Sequence, residues 1–262
     1  MKALKKLYLA LILIFMYAPI AVLILYSFNA SRSRSVWGGF SLKWYEALFH
    51  DSAIMGDLRT TLVVAVLSAL IATVIGTVAA VGIQALGKWK RRAVLNVNNL
   101  PVLNPDIVTG ISLMILFSFL YNKLGVFKLG FSTLLISHIT FNIPYVILSI
   151  IPKLRQMDKN LYEAALDLGA TNSQAFFNVI VPQIKPGIVT GAILAFTMSL
   201  DDFVISFFTT GSGVSTLSIR IYSMARRGVN PEINALSTLL FLAVMILLIL
   251  INKRDSNELQ SI

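Results

Sequence analysis

The chain has 262 residues, of which 56% are hydrophobic and only 13% are charged, and it contains no cysteine. A soluble domain carries about a quarter charged residues, so this composition favours a single membrane domain over residues 1–262. The lack of cysteine excludes disulfides, cysteine-based metal sites and thiol catalysis. The net charge of +10 lies in short clusters between apolar runs, which is typical of topology signals and argues against nucleic-acid binding.

Six apolar segments are long enough to cross a bilayer, which requires roughly 20 residues. An all-α polytopic membrane protein with six transmembrane helices is therefore predicted, with spans near 7–27, 58–86, 102–121, 132–151, 184–208 and 233–251. The second span is long enough to tilt or to project from the membrane. The third is the least regular, because asparagine and proline interrupt it at Asn96, Asn98, Asn99, Pro101, Asn104 and Pro105.

Loop charges indicate how the chain is oriented. Six spans place both termini on one side, and with a cytoplasmic N-terminus the inside segments hold twelve Lys and Arg residues against eight outside. The cluster Lys88–Arg92, in a short loop, gives this orientation its best support. The loop 152–183 is then cytoplasmic. In the first outside loop, residues 41–49 are predicted to form a surface helix whose apolar face includes Leu42, Tyr45, Leu48 and Phe49.

The polar loop 152–183 is predicted to contain two short helices. Asn160 can cap a helix that begins at Leu161, and Glu163 can reach back to the cap. Gly169 can end that helix, because glycine adopts the left-handed conformation that such a stop requires.

The second short helix begins with another capping pattern, Thr171–Gln174. Pro182 is expected to end or redirect this helix before the fifth span. The predicted result is a helix–turn–helix that faces water.

This loop resembles the EAA loop of ABC importer permeases, which docks onto the ATPase subunit. Glu163, Ala164, Ala165, Gly169 and Pro182 match the family pattern, with valines in place of its Ile and Leu. The resemblance implies that the ATPase-coupling residues are Glu163, Ala164, Ala165, Gly169, Thr171 and Pro182. Since the chain has no G-x-x-x-x-G-K-[S/T] loop, ATP hydrolysis belongs to a separate subunit and the chain is not expected to be an enzyme.

Three carboxylates fall within predicted spans, where a charged side chain costs a few kcal/mol and usually marks a substrate path. Asp201 and Asp202 lie in the middle of the fifth span, where no capping role is expected, so at least one should face the path. For Asp106 two compatible roles stay open. It can face the path, or it can start a helix behind Asn104 as cap and Pro105 at the first position.

Carboxylates in a lumen favour cations, and aromatic rings bind ammonium groups. Tyr145 and Phe203 are the candidate aromatic contacts, with plain packing as the competing role. His138 is expected to be a hydrogen-bonded helix residue, because no spacing here makes a metal site. No nucleophile–base pair is present, so no catalytic residue is predicted.

Several stretches resemble the C-type permease subunits of spermidine/putrescine ABC importers, and the likeness covers nearly the whole chain. These stretches are residues 104–112, 137–141, 199–204, 221–224 and 229–236. The resemblance implies a type I importer permease (MetI-like) fold in a bacterial inner membrane. It also implies partners: a sister permease, two copies of an ATPase that binds ATP and Mg²⁺, and an extracytoplasmic polyamine-binding protein. No cofactor is expected in this chain.

Two alternatives stay open. The chain could be an ABC permease for another solute, such as ferric iron, sulfate or a phosphonate. Alternatively, it could be an ATP-independent carrier, which would make no use of a docking loop.

Overall fold

The computed structural model describes residues 2–33, 36–158, 160–227 and 231–259. Lys159, Val229 and Asn230, which belong to segments discussed above, lie outside these ranges. Within them the all-α prediction is confirmed, since the only β-pairing is an isolated bridge between Asn29 and Phe40. The α-helices are α1 (Lys2–Ser27), α2 (Lys43–His50), α3 (Ser52–Ala85), α4 (Lys88–Leu103), α5 (Asp106–Leu124), α6 (Phe131–Gln156), α7 (Asn160–Asp167), α8 (Asn172–Ala175), α9 (Val181–Asp201), α10 (Val204–Thr209), α11 (Leu217–Arg227) and α12 (Pro231–Leu259).

Among the residues that the structure describes, five helical stretches are long and apolar enough to cross a membrane, and a shorter apolar stretch lies where the sixth span is predicted. The five are Lys5–Ser27, Ser52–Ala85, Asp106–Leu124, Phe131–Gln156 and Asn172–Asp201, and the shorter one is Pro231–Ile246. The second contains 34 residues, or about 51 Å of helix. It therefore exceeds the roughly 30 Å hydrocarbon core, as the length of its apolar run predicts.

Two predicted span boundaries are wrong, for the same physical reason. The third span begins at Asp106, not at residue 102, because α4 ends at Leu103 and the chain turns extended at Asn104 and Pro105. The predicted fifth span, 184–208, is split, since α9 ends at Asp201 and α10 starts at Val204. The first break falls at the Asn104–Pro105 interruption that the sequence shows, and the second falls at Asp201 and Asp202, which lie between apolar residues.

The helices form two compact units, of which the first comprises Met1–Gly56 and Arg220–Ile262. In this unit α12 packs against α1 and α2. The Trp44 indole N–H donates to the Asn29 carbonyl at 2.7 Å, which ties α2 to the loop before it. The predicted surface helix exists, and its predicted apolar face is confirmed in part. Leu48 is buried and Tyr45 is half-buried, whereas Leu42 and Phe49 are exposed and Trp44 is buried in their place.

The second unit, Asp57–Ile219, has its core where α6 packs against α9 and α3. Small residues allow this close approach, as they commonly do between membrane helices. A Cβ added to Gly76 of α3 would lie 2.7 Å from Val146 Cγ1, and one added to Gly191 of α9 would lie 3.2 Å from Val146 Cα. Val146 of α6 therefore sits at the centre of the three-helix contact.

Candidate functional site

The helix pair α7 and α8, with the turn between them, is the first candidate site. Helix α7 begins at Asn160 because the Asp158 side chain accepts a hydrogen bond from the Asn160 N–H at 3.0 Å. The prediction that Asn160 caps a helix starting at Leu161 is therefore wrong, since Asp158 supplies the cap. Glu163 does not serve the cap; it lies exposed in the first turn of α7.

The turn after α7 is built on Gly169, as predicted. Gly169 has a φ of +87°, in the left-handed region that other residues avoid. Its N–H donates to the Leu166 carbonyl at 2.9 Å, and the Ala170 N–H donates to the Ala165 carbonyl at 3.0 Å. This pair of bonds is a Schellman motif, which satisfies the last carbonyls of the helix.

The start of α8 confirms the second predicted capping box. The Thr171 hydroxyl accepts from the Gln174 N–H at 3.3 Å, and the Gln174 side chain accepts from the Thr171 N–H at 2.8 Å. The Tyr162 hydroxyl donates to the Asn172 side-chain oxygen at 3.3 Å. This bond connects α7 to α8, so the two short helices form one ordered unit.

Pro182 does not end the second short helix, and the alternative that it redirects the helix stays a prediction. Helix α8 continues through the π-helical segment Phe176–Ile180 directly into α9. Pro182 stands in the first turn of α9. The wider π-turn before it relieves the clash that a proline ring makes with the preceding turn of a helix. The predicted coupling segment, residues 160–180, is thus joined to α9 by continuous helix.

The helix pair exposes apolar side chains. The Leu168 residue is 89% exposed and Phe177 is 65% exposed. Glu163 and Ala164 are also exposed, while Ala165 is half-buried. These two apolar side chains, with the exposed Glu163 and Ala164, are the groups that this segment offers to a partner protein.

The break between α9 and α10 is the second candidate site, and it separates the roles of Asp201 and Asp202. Asp202 leaves the helix with φ −60° and ψ 124°, and its carboxylate accepts from the N–H of Ile205 at 3.2 Å and of Ser206 at 2.7 Å. The expectation that no capping role applies here is wrong, because Asp202 caps α10. Its side chain is 7% exposed, whereas Asp201 is exposed at the end of α9.

His138 of α6 binds both sides of this break. Its Nδ1 lies 3.0 Å from the Ser199 hydroxyl of α9, and its Nε2 lies 3.0 Å from the Ser206 hydroxyl of α10. The same Nε2 lies 3.5 Å from an Asp202 carboxylate oxygen. The prediction that His138 is a hydrogen-bonded helix residue is confirmed. Within the described residues, no group of three or more His, Asp or Glu is placed to hold a metal ion.

Sequence reasoning missed the polar side chains that complete this network. Ser199 Oγ lies 2.9 Å from Ser68 Oγ of α3 and accepts from the Asn142 amide of α6 at 2.8 Å. Ser68, Asn142, Ser199 and Ser206 are all buried. Their one sequence signal is that each is a polar residue inside an apolar run, where an unpaired polar group would be costly.

Asp106 opens α5, but its predicted neighbours play different parts. Pro105 occupies the cap position with no side-chain cap, and Asn104 belongs to the end of α4. The predicted cap at Asn104 is therefore wrong. Asp106 lies in the first turn and is exposed. One turn later, Gly110 packs on α10, where a Cβ would lie 3.4 Å from the Val204 carbonyl. The start of α5 therefore lies beside the same helix break.

The two aromatic candidates are half-buried. Tyr145 packs edge-on against Phe141, with ring centroids 5.2 Å apart. Phe203 packs on Phe207 of α10, with ring centroids 5.5 Å apart. The structure thus places Phe203 directly after the break that carries Asp201. Of the predicted pathway residues, Asp202 alone is withdrawn into the protein.

The chain matches the family model described as "Binding-protein-dependent transport system inner membrane component" over residues 72–253. It is 42% identical to the "Putrescine transport system permease protein PotI" of Escherichia coli K12, over 88% of this chain and 83% of that protein. It is 39% identical to the "Spermidine/putrescine transport system permease protein PotC" of the same strain, over 90% of this chain and 87% of that protein. The corresponding permease of Haemophilus influenzae is 35% identical over 97% and 98% of the two chains.

Solved structures share the fold. A chain of a bacterial ABC transporter involved in import of the acidic polysaccharide alginate superposes with a TM-score of 0.75, at 19% identity, over 95% of this chain and 92% of that one. A chain of the alginate transporter in complex with a pentasaccharide-bound periplasmic protein gives 0.74 at the same identity, over 95% and 91%. At this identity the likeness concerns the fold alone.

Proposed function

The chain belongs to the family of binding-protein-dependent transport system inner membrane components, and we propose that it forms half of the membrane pathway of an ATP-driven polyamine importer. Membership makes it a multi-pass inner-membrane permease subunit rather than an enzyme, with the ATPase in another subunit. The observation that carries the substrate proposal is its identity of 35–42%, over most of its length, to permeases named for putrescine and spermidine.

The exposed carboxylates support a cationic substrate. Asp201 lies exposed at the end of α9, and Asp106 lies exposed at the start of α5 beside the same break. Polyamines carry two to four positive charges, and carboxylates in a low-dielectric cavity attract such charges strongly. The half-buried rings of Tyr145 and Phe203 add aromatic surface to which ammonium groups bind.

The helix pair α7–α8 is the proposed contact with the ATPase. It is proposed to lie in the cytoplasm, with both termini of the chain on that side. Exposed Leu168 and Phe177 provide an apolar surface, and Glu163 provides a negative charge for a basic partner. An ATP-independent carrier would leave this ordered, exposed pair without a use, which favours the ATP-driven mechanism.

In this proposal the assembly contains a sister permease, two ATPase copies and an extracytoplasmic polyamine-binding protein. ATP and Mg²⁺ are bound by the ATPase subunits. Closure of the ATPase dimer moves α7 and α8, and the continuous helix from α8 into α9 carries that motion to the break beside Asp201. The carboxylate contact is transient, because a site that held the polyamine tightly would not release it.

The test is uptake of radiolabelled putrescine and spermidine by a transport-deficient bacterial host that expresses the complete set of subunits. Uptake should require the ATPase and binding protein, and unlabelled sulfate, ferric iron and phosphonate should not compete. Asp201→Asn should lower uptake about tenfold or more, while Glu46→Gln, an exposed carboxylate on α2, should leave it unchanged. Competition by one of the other solutes, without polyamine uptake, would contradict the substrate proposal.

A further inference from the structure

Asp201 and Asp202 are adjacent in the chain, but one is exposed and the side chain of the other is buried. In a continuous helix, residues 201 and 202 would both project from α9, about 100° apart. In the structure α9 stops at Asp201, and the chain turns extended at Asp202. Asp202 then points inward to cap α10 and Asp201 remains exposed. The helix break itself therefore decides which carboxylate is available to a solute.

His138 is the group that spans this break from outside it. Its two ring nitrogens bind Ser199, in the last turn of α9, and Ser206, in the first turn of α10, each at 3.0 Å. His138 is 1% exposed, so no water competes for these bonds. One rigid imidazole thus sets the distance and angle between the two helices.

The Asp202 carboxylate beside Nε2 favours the tautomer that carries the proton on this nitrogen. With the proton on Nε2, the imidazole donates toward Ser206 and the nearby Asp202 carboxylate, and Nδ1 accepts from the Ser199 hydroxyl. Ser199 then accepts from Asn142 and Ser68. These bonds join α3, α6, α9 and α10 through one buried polar network.

We propose that His138 is a positioning residue for polyamine translocation. Its two hydrogen bonds hold the end of α9 against the start of α10 and so keep Asp201 facing the path. It makes no contact with the substrate. The inference rests on the proposed function, in which Asp201 meets the cation. Loss of these two hydrogen bonds allows α9 and α10 to shift relative to each other, which moves the Asp201 carboxylate away from the start of α5.

The test uses the complete transporter, with sister permease, ATPase and binding protein, reconstituted in proteoliposomes. Two rates are measured: uptake of radiolabelled spermidine, and ATP hydrolysis stimulated by the spermidine-loaded binding protein. His138→Leu should lower uptake about tenfold, the equivalent of one charge-assisted hydrogen bond, while stimulated ATP hydrolysis stays within about twofold. A role in folding alone would lower both rates together, and that result would overturn the inference.

Rescue provides the second readout. His138→Gln retains an amide N–H near the position of Nε2, so it should recover part of the uptake that His138→Leu loses. Ser137→Ala is the matched control, because Ser137 is a buried neighbour on α6 whose hydroxyl donates to the Thr133 carbonyl of the same helix. Equal losses in the Gln and Leu variants would contradict a role that depends on the Nε2 bond.

A double-mutant cycle gives the decisive readout. If His138 acts through Asp201, then His138→Leu should cause little further loss of uptake once Asp201→Asn is present. Additive losses, in a complex that does transport spermidine, would overturn this inference and leave the polyamine proposal intact. A wild-type complex that transports no polyamine would instead overturn the proposed function, and this inference with it.

Discussion

Gly187 of α9 lies directly against Ser149 of α6, so that a Cβ on Gly187 would stand 2.9 Å from the Ser149 carbonyl oxygen. The oxygen belongs to the backbone, and backbone inside a packed helix pair has little room to shift. This contact sits in the seam between the two helices that flank the coupling segment. The close approach of α6 and α9 therefore depends on glycine at position 187, which has no side chain.

Gly187→Leu should push α6 and α9 apart and destabilise the second unit by about 1–3 kcal/mol, in the usual range for overpacking. The measurement is the thermal unfolding midpoint of the purified, detergent-solubilised protein. Gly82→Leu on α3 is the matched control, because nothing lies within 4 Å of a Cβ at Gly82. Equal midpoints for the two variants would show that the seam is not close-packed.

Gly169→Val should strain the turn between α7 and α8 without a steric clash. No atom lies within 4 Å of a Cβ at Gly169, but its φ of +87° is unfavourable for a β-branched side chain. The strain amounts to about 1–2 kcal/mol, which should tilt α8 relative to α7 and weaken co-purification of the ATPase subunit. Gly169→Asn should be milder, because asparagine tolerates the left-handed region. Weaker co-purification of the ATPase with Gly169→Asn than with Gly169→Val would contradict the explanation from backbone geometry.

Leu168→Ser should weaken binding of the ATPase without affecting the fold of this chain. The side chain is 89% exposed, so folding gains little from it, whereas an apolar anchor buried at an interface contributes about 1–2 kcal/mol or more. About a tenfold loss in affinity is expected, measured by titrating purified ATPase onto the permease in nanodiscs. Ser173→Ala, also exposed on the helix pair, is the control and should bind normally. Unchanged affinity for Leu168→Ser would place the docking surface elsewhere.

Asp202→Ala and Asp201→Ala should separate stability from transport. Removal of the Asp202 carboxylate leaves the N–H groups of Ile205 and Ser206 without their acceptor, which costs about 1–3 kcal/mol in a buried site. The thermal unfolding midpoint of the Asp202→Ala variant should therefore fall. Asp201→Ala removes an exposed group and should leave the midpoint within about a degree of wild type, while uptake falls. A lower midpoint for the Asp201 variant alone would reverse the roles assigned to the two residues.

Local structure in the coupling segment was largely predictable from sequence. Gly169 as the helix stop and Thr171 with Gln174 as the capping box are confirmed, because these features are made by residues within a few positions of one another. The errors there were also local. Asp158, and not Asn160, caps α7. The helix continues through the π-helical segment Phe176–Ile180 into α9, where Pro182 stands in the first turn.

The amino-acid sequence by itself determined the helical class, the number of apolar runs and the local stops and caps, since each depends on composition or on near neighbours. Tertiary structure alone decided which polar groups inside the spans meet. Ser68 and Ser199 are 131 positions apart, and His138 and Ser206 are 68 apart. A hydropathy pattern records whether a residue is apolar but not which distant partner it faces. Only packing of α3, α6, α9 and α10 could therefore show that the Asp202 side chain is buried while Asp201 stays exposed.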